Sequence, residues 1–173
     1  MTTPISAEQI AELNTAREPI LQTDYEHLGE QLDRRGVDIE TITTRVQALA
    51  VALPTWGVGT CGTRFARFPI AGEPRDIFEK LEDCAVVQQL GRATPTVSPH
   101  FPWDHVSDIA ALRDRARELG LGFDAINSNT FQDVAGQAES YKFGSLSHTE
   151  NAVRDQAIRH NIECIEIGQQ LGS

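Results

Sequence analysis

Three times between residues 48 and 173 a short apolar or β-branched run gives way to a longer stretch with helical spacing. That alternation is the pattern of parallel βα units, because a strand can return parallel to its predecessor only through a crossover, usually a helix. The first run, Ala48-Leu49-Ala50-Val51-Ala52-Leu53, ends at Pro54 and reads as a strand buried on both faces, its first residues also open to a helical reading. A glycine-rich loop follows, then a helix with Pro74 in its first turn and Ile77, Leu81, Cys84, Ala85 and Gln88 on one mostly apolar face, up to Gly91. The second strand covers 94–101, β-branched and edged by prolines. Ser107 is the expected cap of a helix carrying Ile109, Leu112, Ala116 and Leu119 and closed by Gly120. The third strand covers 122–127, and a polar loop over 128–146 follows it. Ser147-His148-Thr149-Glu150 has capping-box spacing, and the helix after it carries Val153, Ala157, Ile162, Ile165 and Leu171.

Residues 1–47 precede this pattern as a helical lead-in. Ser6 is placed to cap a helix that is interrupted near Pro19, runs to about residue 35 and ends at Gly36. Residues 38–49 read as a second helix, with Ile42, Val46 and Leu49 at helical spacing. A closed (β/α)8 barrel typically takes about 250 residues. The 173 residues here hold the lead-in and roughly three units at that spacing. An open three-stranded parallel sheet would leave an apolar edge uncovered. The expected fold class is therefore α/β: the N-terminal part of a (β/α)8 barrel, with 48–173 forming the first βα units of a longer chain.

The formal net charge is −10, and charges of both signs mix along helical segments such as 113–118. Nucleic acid and anionic membrane both ask for a basic face, so neither is an expected partner. No apolar run approaches the ~18 residues of a membrane span. The start, Met1-Thr2-Thr3-Pro4-Ile5-Ser6, lacks the basic and apolar regions of a signal peptide. Cys61, Cys84 and Cys164 are far apart and odd in number, which fits reduced thiols in the cytoplasm better than a disulfide framework or zinc knuckle.

Gly57-Val58-Gly59-Thr60-Cys61-Gly62 matches G-x-G-x-x-G, but a dinucleotide site needs a helix to start at those glycines so that its N-terminus holds the pyrophosphate. Prolines at 69 and 74 delay the helix, and no acidic residue ends the second strand, so a turn-rich loop is the better reading. More telling are Trp56 just past the first strand, His100 and Trp103 just past the second, and Phe131 past the third. Prolines on both sides of His100-Phe101 stiffen that segment. Three successive strands thus offer a ring at the same end of the sheet, where α/β proteins build their sites. Aromatic faces with one histidine suit a sugar: rings stack on its CH faces, and imidazole exchanges protons with a hydroxyl near neutral pH. His27 and His160 read as solvent-facing on helices, His105 as a surface residue and His148 as part of a cap. Glu163 and Glu166 read as a helix face. No set of three metal ligands is visible in the pattern.

Several stretches resemble the L-rhamnose isomerase family, of the xylose-isomerase-like type with broad sugar specificity. They include Pro54-Thr55-Trp56-Gly57-Val58-Gly59-Thr60, Thr63-Arg64-Phe65-Ala66-Arg67-Phe68-Pro69, Asn127-Ser128-Asn129-Thr130-Phe131, Gly144-Ser145-Leu146-Ser147-His148-Thr149 and Glu163-Cys164-Ile165-Glu166-Ile167-Gly168. The resemblance runs from about residue 24 to the last. It implies an aldose–ketose isomerase that converts L-rhamnose to L-rhamnulose on a (β/α)8 barrel, with metal-assisted hydrogen transfer between C1 and C2. It further implies a divalent metal, typically manganese, and a homotetramer. By the same resemblance His100 is the histidine implicated in ring opening. Trp56, Trp103 and Phe131 line the substrate pocket, and Phe65 reaches into a neighbouring subunit's site. The family's metal ligands fall beyond Ser173, so no residue here is assigned to the metal and the chain alone is expected to be inactive. Two other readings remain open: a short protein that binds a sugar or a partner without catalysis, and a related sugar epimerase barrel.

Overall fold

The computed structural model describes residues 5–49, 51–59 and 68–173. The lead-in opens at Ser6, whose hydroxyl accepts from the Gln9 amide while the Gln9 side chain accepts from the Ser6 amide, a reciprocal capping box. Helix α1 (Ala7–Asp33) runs straight through Pro19, where a break was expected. A proline there forfeits one backbone hydrogen bond, and on an exposed helix water satisfies the carbonyl that it frees. Gly36, at φ +69°, turns the chain into α2 (Ile39–Gln47), capped by the Asp38 carboxylate. The Tyr25 hydroxyl ties the two helices through Glu40 and Thr43.

Strand β1 (Ala52–Pro54) is shorter than the apolar run that announces it. Leu49 and Val51 are exposed, so the expectation of a strand buried on both faces fails for them; Ala50 lies outside the described residues. A single 3₁₀ turn (Thr55–Gly57) follows β1. Helix α3 (Ile77–Gly91) starts at an Asp76 cap, past Pro74 rather than on it. Strand β2 (Thr96–Ser98) breaks at Pro99 and resumes as β3 (His100–Phe101). The break has a simple cause: Pro99 has no N–H for the ladder, although its carbonyl still accepts from the Asn127 amide at 2.9 Å. Helix α4 (Ile109–Glu118) is capped by Asp108, not Ser107, since the carboxylate reaches the Ala111 amide. The third strand is likewise split, into β4 (Gly122–Phe123) and β5 (Asn127–Ser128). Helix α5 (Asn151–Leu171) begins after Glu150 with no side-chain cap bond, so Ser147 does not serve as its cap. Arg154 instead donates to the carbonyls of His148 and Thr149.

All the pairings are parallel and follow chain order, as repeated βα units require. β1 lies beside β2 and β2 beside β4, with Leu53 opposite Val97 and Val97 opposite Phe123. β3 lies beside β5, with His100 opposite Asn127. The domain is α/β with parallel strands, and α3, α4 and α5 share one core with them, built on Leu81, Val97, Leu112, Phe123 and Leu171. No described helix is long and apolar enough to cross a membrane.

Helix α5 buries Val153, Ala157 and Leu171 of its expected face but not the two isoleucines between them. Cys164, Ile167 and Gly168 are buried, whereas Ile162 and Ile165 are exposed. Gly168 favours this choice: a Cβ there would stand 3.1 Å from the Ile126 side chain, so a larger residue would push Ile126 aside or lift the helix from the sheet. Leu112→Ala is therefore expected to lower the unfolding free energy by about 3 kcal/mol, and Ile165→Ser to change it by less than about 0.5 kcal/mol, in urea titrations.

Candidate functional site

The segment after β2 is closed by its own backbone and by one carboxylate. The His100 amide donates to Asp104 Oδ2 at 2.7 Å, and the Asp104 amide donates back to the His100 carbonyl at 3.1 Å. The same carboxylate accepts from the Thr55 hydroxyl at 2.6 Å and from Lys80 Nζ at 2.6 Å. Asp104 is only 1% exposed. A buried carboxylate survives when its oxygens are filled, and here the turn after β1, the first turn of α3 and β3 each supply a donor. Lys80 reaches it because it stands in the buried stripe of α3 with Ile77, Leu81 and Cys84.

This tie presents the His100 ring to three aromatic neighbours. Trp103 lies 4.6 Å away between centroids and Trp56 5.4 Å, both edge-on at 66°. Phe131 lies 5.8 Å away, tilted by 33°. Burial among these groups pushes the imidazole below its ordinary pKa. The Asp104 charge and a hydrogen bond to the Ser128 backbone pull it partly back. His100 is thus neutral at pH 7. Its Nε2 is shielded from solvent and makes no hydrogen bond among the described residues. Trp56 and Phe131 remain more than half exposed, leaving ring area open to a ligand.

A cleft of about 150 Å³ adjoins these rings, lined by Thr55, Trp56, Gly59, Lys80, His100, Trp103 and Asp104. Gly59 belongs to its wall: a Cβ there would meet the Thr55 carbonyl at 3.2 Å and the Lys80 stem at 3.4 Å. That is a packing reason for a glycine in the G-x-G-x-x-G match. Helix α3 begins only at Ile77, and Thr60, Cys61 and Gly62 lie outside the described residues.

Trp56, His100, Trp103 and Phe131, nominated from the sequence, come together in space; Phe65 lies outside the described residues. His160 does not face solvent as expected. It is mostly buried and accepts from the Asn129 amide at 2.9 Å, because α5 packs against the end of β5. Asp104, Thr55 and Lys80 went unnoticed as site residues. A signal existed for Lys80, since a lysine inside an apolar helical stripe needs an anion nearby. Buried Cys84 and Cys164 are free thiols, pushed up to about 12 and about 11 by burial, which makes them poor nucleophiles.

A metal-assisted isomerase needs a cation cage. Among the described residues no group of three or more His, Cys, Asp and Glu side chains could hold one. Asp104, the carboxylate nearest His100, already has its oxygens filled by protein donors. The described residues therefore do not fit a metal, and no step is drawn through one.

No protein-family model matches the chain. It is 62% identical over 173 residues to a protein of Rhizobium meliloti named as a probable sugar isomerase, an alignment covering 100% of this chain and 40% of that relative. It is 61% identical over 171 residues to a second so named, from Mesorhizobium japonicum, covering 99% of this chain and 40% of that relative. The chain thus spans 40% of the length of the curated relatives it matches.

Removing the Asp104 carboxylate would strand the mostly buried Lys80 ammonium. Asp104→Ala is expected to cost about 3 to 5 kcal/mol in denaturant unfolding. His100 titrates below its unfolded value, so the folded chain binds fewer protons than the unfolded one just under about pH 6.5. Its contribution to stability is whole above that pH and is lost as pH falls through the depressed value. Between about pH 7.5 and about pH 5.5 the melting temperature should fall less in His100→Gln than in the parent.

Proposed function

We propose that this chain forms the ring-opening and stacking wall of an aldose–ketose isomerase acting on L-rhamnose, with tolerance for related sugars. The observation that carries the reading is the neutral His100, its Nε2 free of any hydrogen bond among the described residues, set among Trp56, Trp103 and Phe131. The names of the relatives, probable sugar isomerases, support the reaction class. The parallel βα units in chain order support a (β/α)8 barrel as the larger architecture.

In this reading the aromatic faces stack on the CH faces of the pyranose and exclude water from one side. The neutral His100 imidazole, once the sugar displaces the ring that covers its nitrogen, takes the proton of the anomeric hydroxyl and returns a proton to the ring oxygen, so the hemiacetal opens to the aldehyde with no net change at the imidazole. A depressed pKa suits that role, because the neutral base is present at pH 7. Hydrogen transfer between C1 and C2 falls to groups other than those described, as does the divalent cation, manganese in our proposal. We also propose a homotetramer in the cytoplasm, with Phe65 reaching a neighbouring subunit.

The chain's two tryptophans both flank His100, so intrinsic fluorescence reports on this site alone. L-rhamnose should change that emission saturably, and Trp103→Ala should weaken binding by about tenfold. The purified chain with manganese should form no L-rhamnulose; binding without turnover is equally the signature of a non-catalytic sugar binder. A chimera joining this chain to the remaining length of the Rhizobium meliloti relative separates the two. It should convert L-rhamnose, and His100→Asn in it should lower kcat by about 10²-fold or more while metal content is unchanged. A chimera that folds and binds metal yet converts no aldose would overturn the isomerase reading.

A further inference from the structure

Two neighbouring side chains on α5 grip two neighbouring residues at the end of β5. Asn161 Oδ1 accepts from the Ser128 hydroxyl at 2.7 Å, and the Asn161 amide is itself anchored on the Ala157 carbonyl at 3.0 Å. One residue further on, the Asn129 backbone amide donates to His160 Nε2 at 2.9 Å. Asn129 is 3% exposed, and its side chain shapes the turn that follows. Its Oδ1 accepts from the amides of Phe131 at 3.4 Å and Gln132 at 3.1 Å, while its Nδ2 donates to the Gln132 carbonyl at 2.7 Å. That turn delivers Phe131 to the His100 ring, and the strand end that Ser128 belongs to is paired with β3, with His100 opposite Asn127.

The surroundings specify which nitrogen of His160 carries its proton. A backbone N–H can only donate, so Nε2 is an acceptor. The Cys164 thiol, which burial keeps protonated, lies 3.7 Å from the same nitrogen. The proton therefore sits on Nδ1, with Glu163 Oε2 3.8 Å away. Without the acceptor, a buried amide would go unpaired and the turn carrying Phe131 would lose its anchor.

We infer that His160 and Asn161 are a positioning clamp for the His100 site. His160 sets the turn that places Phe131, and Asn161 sets the strand end paired with the His100 segment. Neither residue touches the ligand. Their role in sugar handling presupposes the reading above, whereas the clamp's geometry does not.

NMR of the sugar-free chain tests the clamp directly. The parent should show ring-to-ring NOEs between Phe131 and His100. His160→Ala should lose them and move the His100 imidazole resonances, with the remaining spectrum still dispersed. His160→Gln, whose side-chain oxygen can accept from Asn129, should restore both signals. In the fluorescence titration His160→Ala should bind L-rhamnose about tenfold more weakly, the loss expected when one buried hydrogen bond goes unmade. Intact Phe131–His100 NOEs in a folded His160→Ala would overturn the clamp. Should His160→Ala fail to fold, Asn161→Ala decides: His100 resonances that move support the clamp, and resonances that stay in place overturn it. A parent chain with intact NOEs and no response to L-rhamnose would overturn the sugar reading alone.

Discussion

The buried carboxylate of Asp104 is the tie on which the arrangement of the site depends. It joins the turn after β1, the start of α3 and the segment after β2, which are separated in sequence by 49, 24 and 4 residues from Asp104 itself. A charge taken out of water costs several kcal/mol unless its lone pairs are met, and here the Thr55 hydroxyl, the Lys80 ammonium and the His100 amide meet them. The cost works as a constraint. Displacing any of the three elements would leave a buried ion short of a partner, so only a narrow range of geometries is cheap. The reciprocal bonds between the backbones and side chain of His100 and Asp104 then make the loop itself rigid.

His100 is held from two sides. Asp104 holds its backbone, and the end of β5, braced by α5, pairs with β3 and carries the turn that brings Phe131 against its ring. Its Nε2 is covered by the surrounding rings and has no hydrogen-bond partner among the described residues. A polar atom left without a partner in such surroundings is costly to the free protein and useful to a ligand that brings a hydroxyl. Burial supplies the second half of the chemistry by keeping the imidazole neutral. Ring contacts and the depressed pKa are thus two results of one packing arrangement.

Much of the element order was legible beforehand. Helical spacing in α3 and α4 and the capping box at Ser6 rest on local contacts between residues three or four apart, which the sequence displays directly. Errors gathered at element ends and where contacts distant in sequence decide what is buried. The cap of α4 moved one residue, from Ser107 to Asp108, a choice between adjacent capping side chains. Leu49 and Val51 look like strand core but find no covering layer among the described residues. In the second half of α5, Gly168 rather than Ile162 or Ile165 meets the core, through a close approach to Ile126, a contact between residues 42 positions apart. In the site, the aromatic residues could be picked out because their chemistry is conspicuous and they recur at strand ends. Asp104 and His160 could not, since a lone aspartate in a loop and a lone histidine on a helix look like surface residues until their partners are known.

By itself the sequence determined the βα alternation, the parallel order it demands, the acidic net charge and the ring-bearing residues past successive strands. Those properties follow from local periodicity and composition, which need no knowledge of the folded chain. The tertiary structure alone decided that Trp56, Trp103 and Phe131 meet around one imidazole, that Asp104 is buried with Lys80 and Thr55, and that His160 braces the turn beneath Phe131. The reason is that hydrogen bonding and desolvation act between neighbours in space. Whether a polar side chain is a solvated surface group or a constraint on the site is settled by what packs over it.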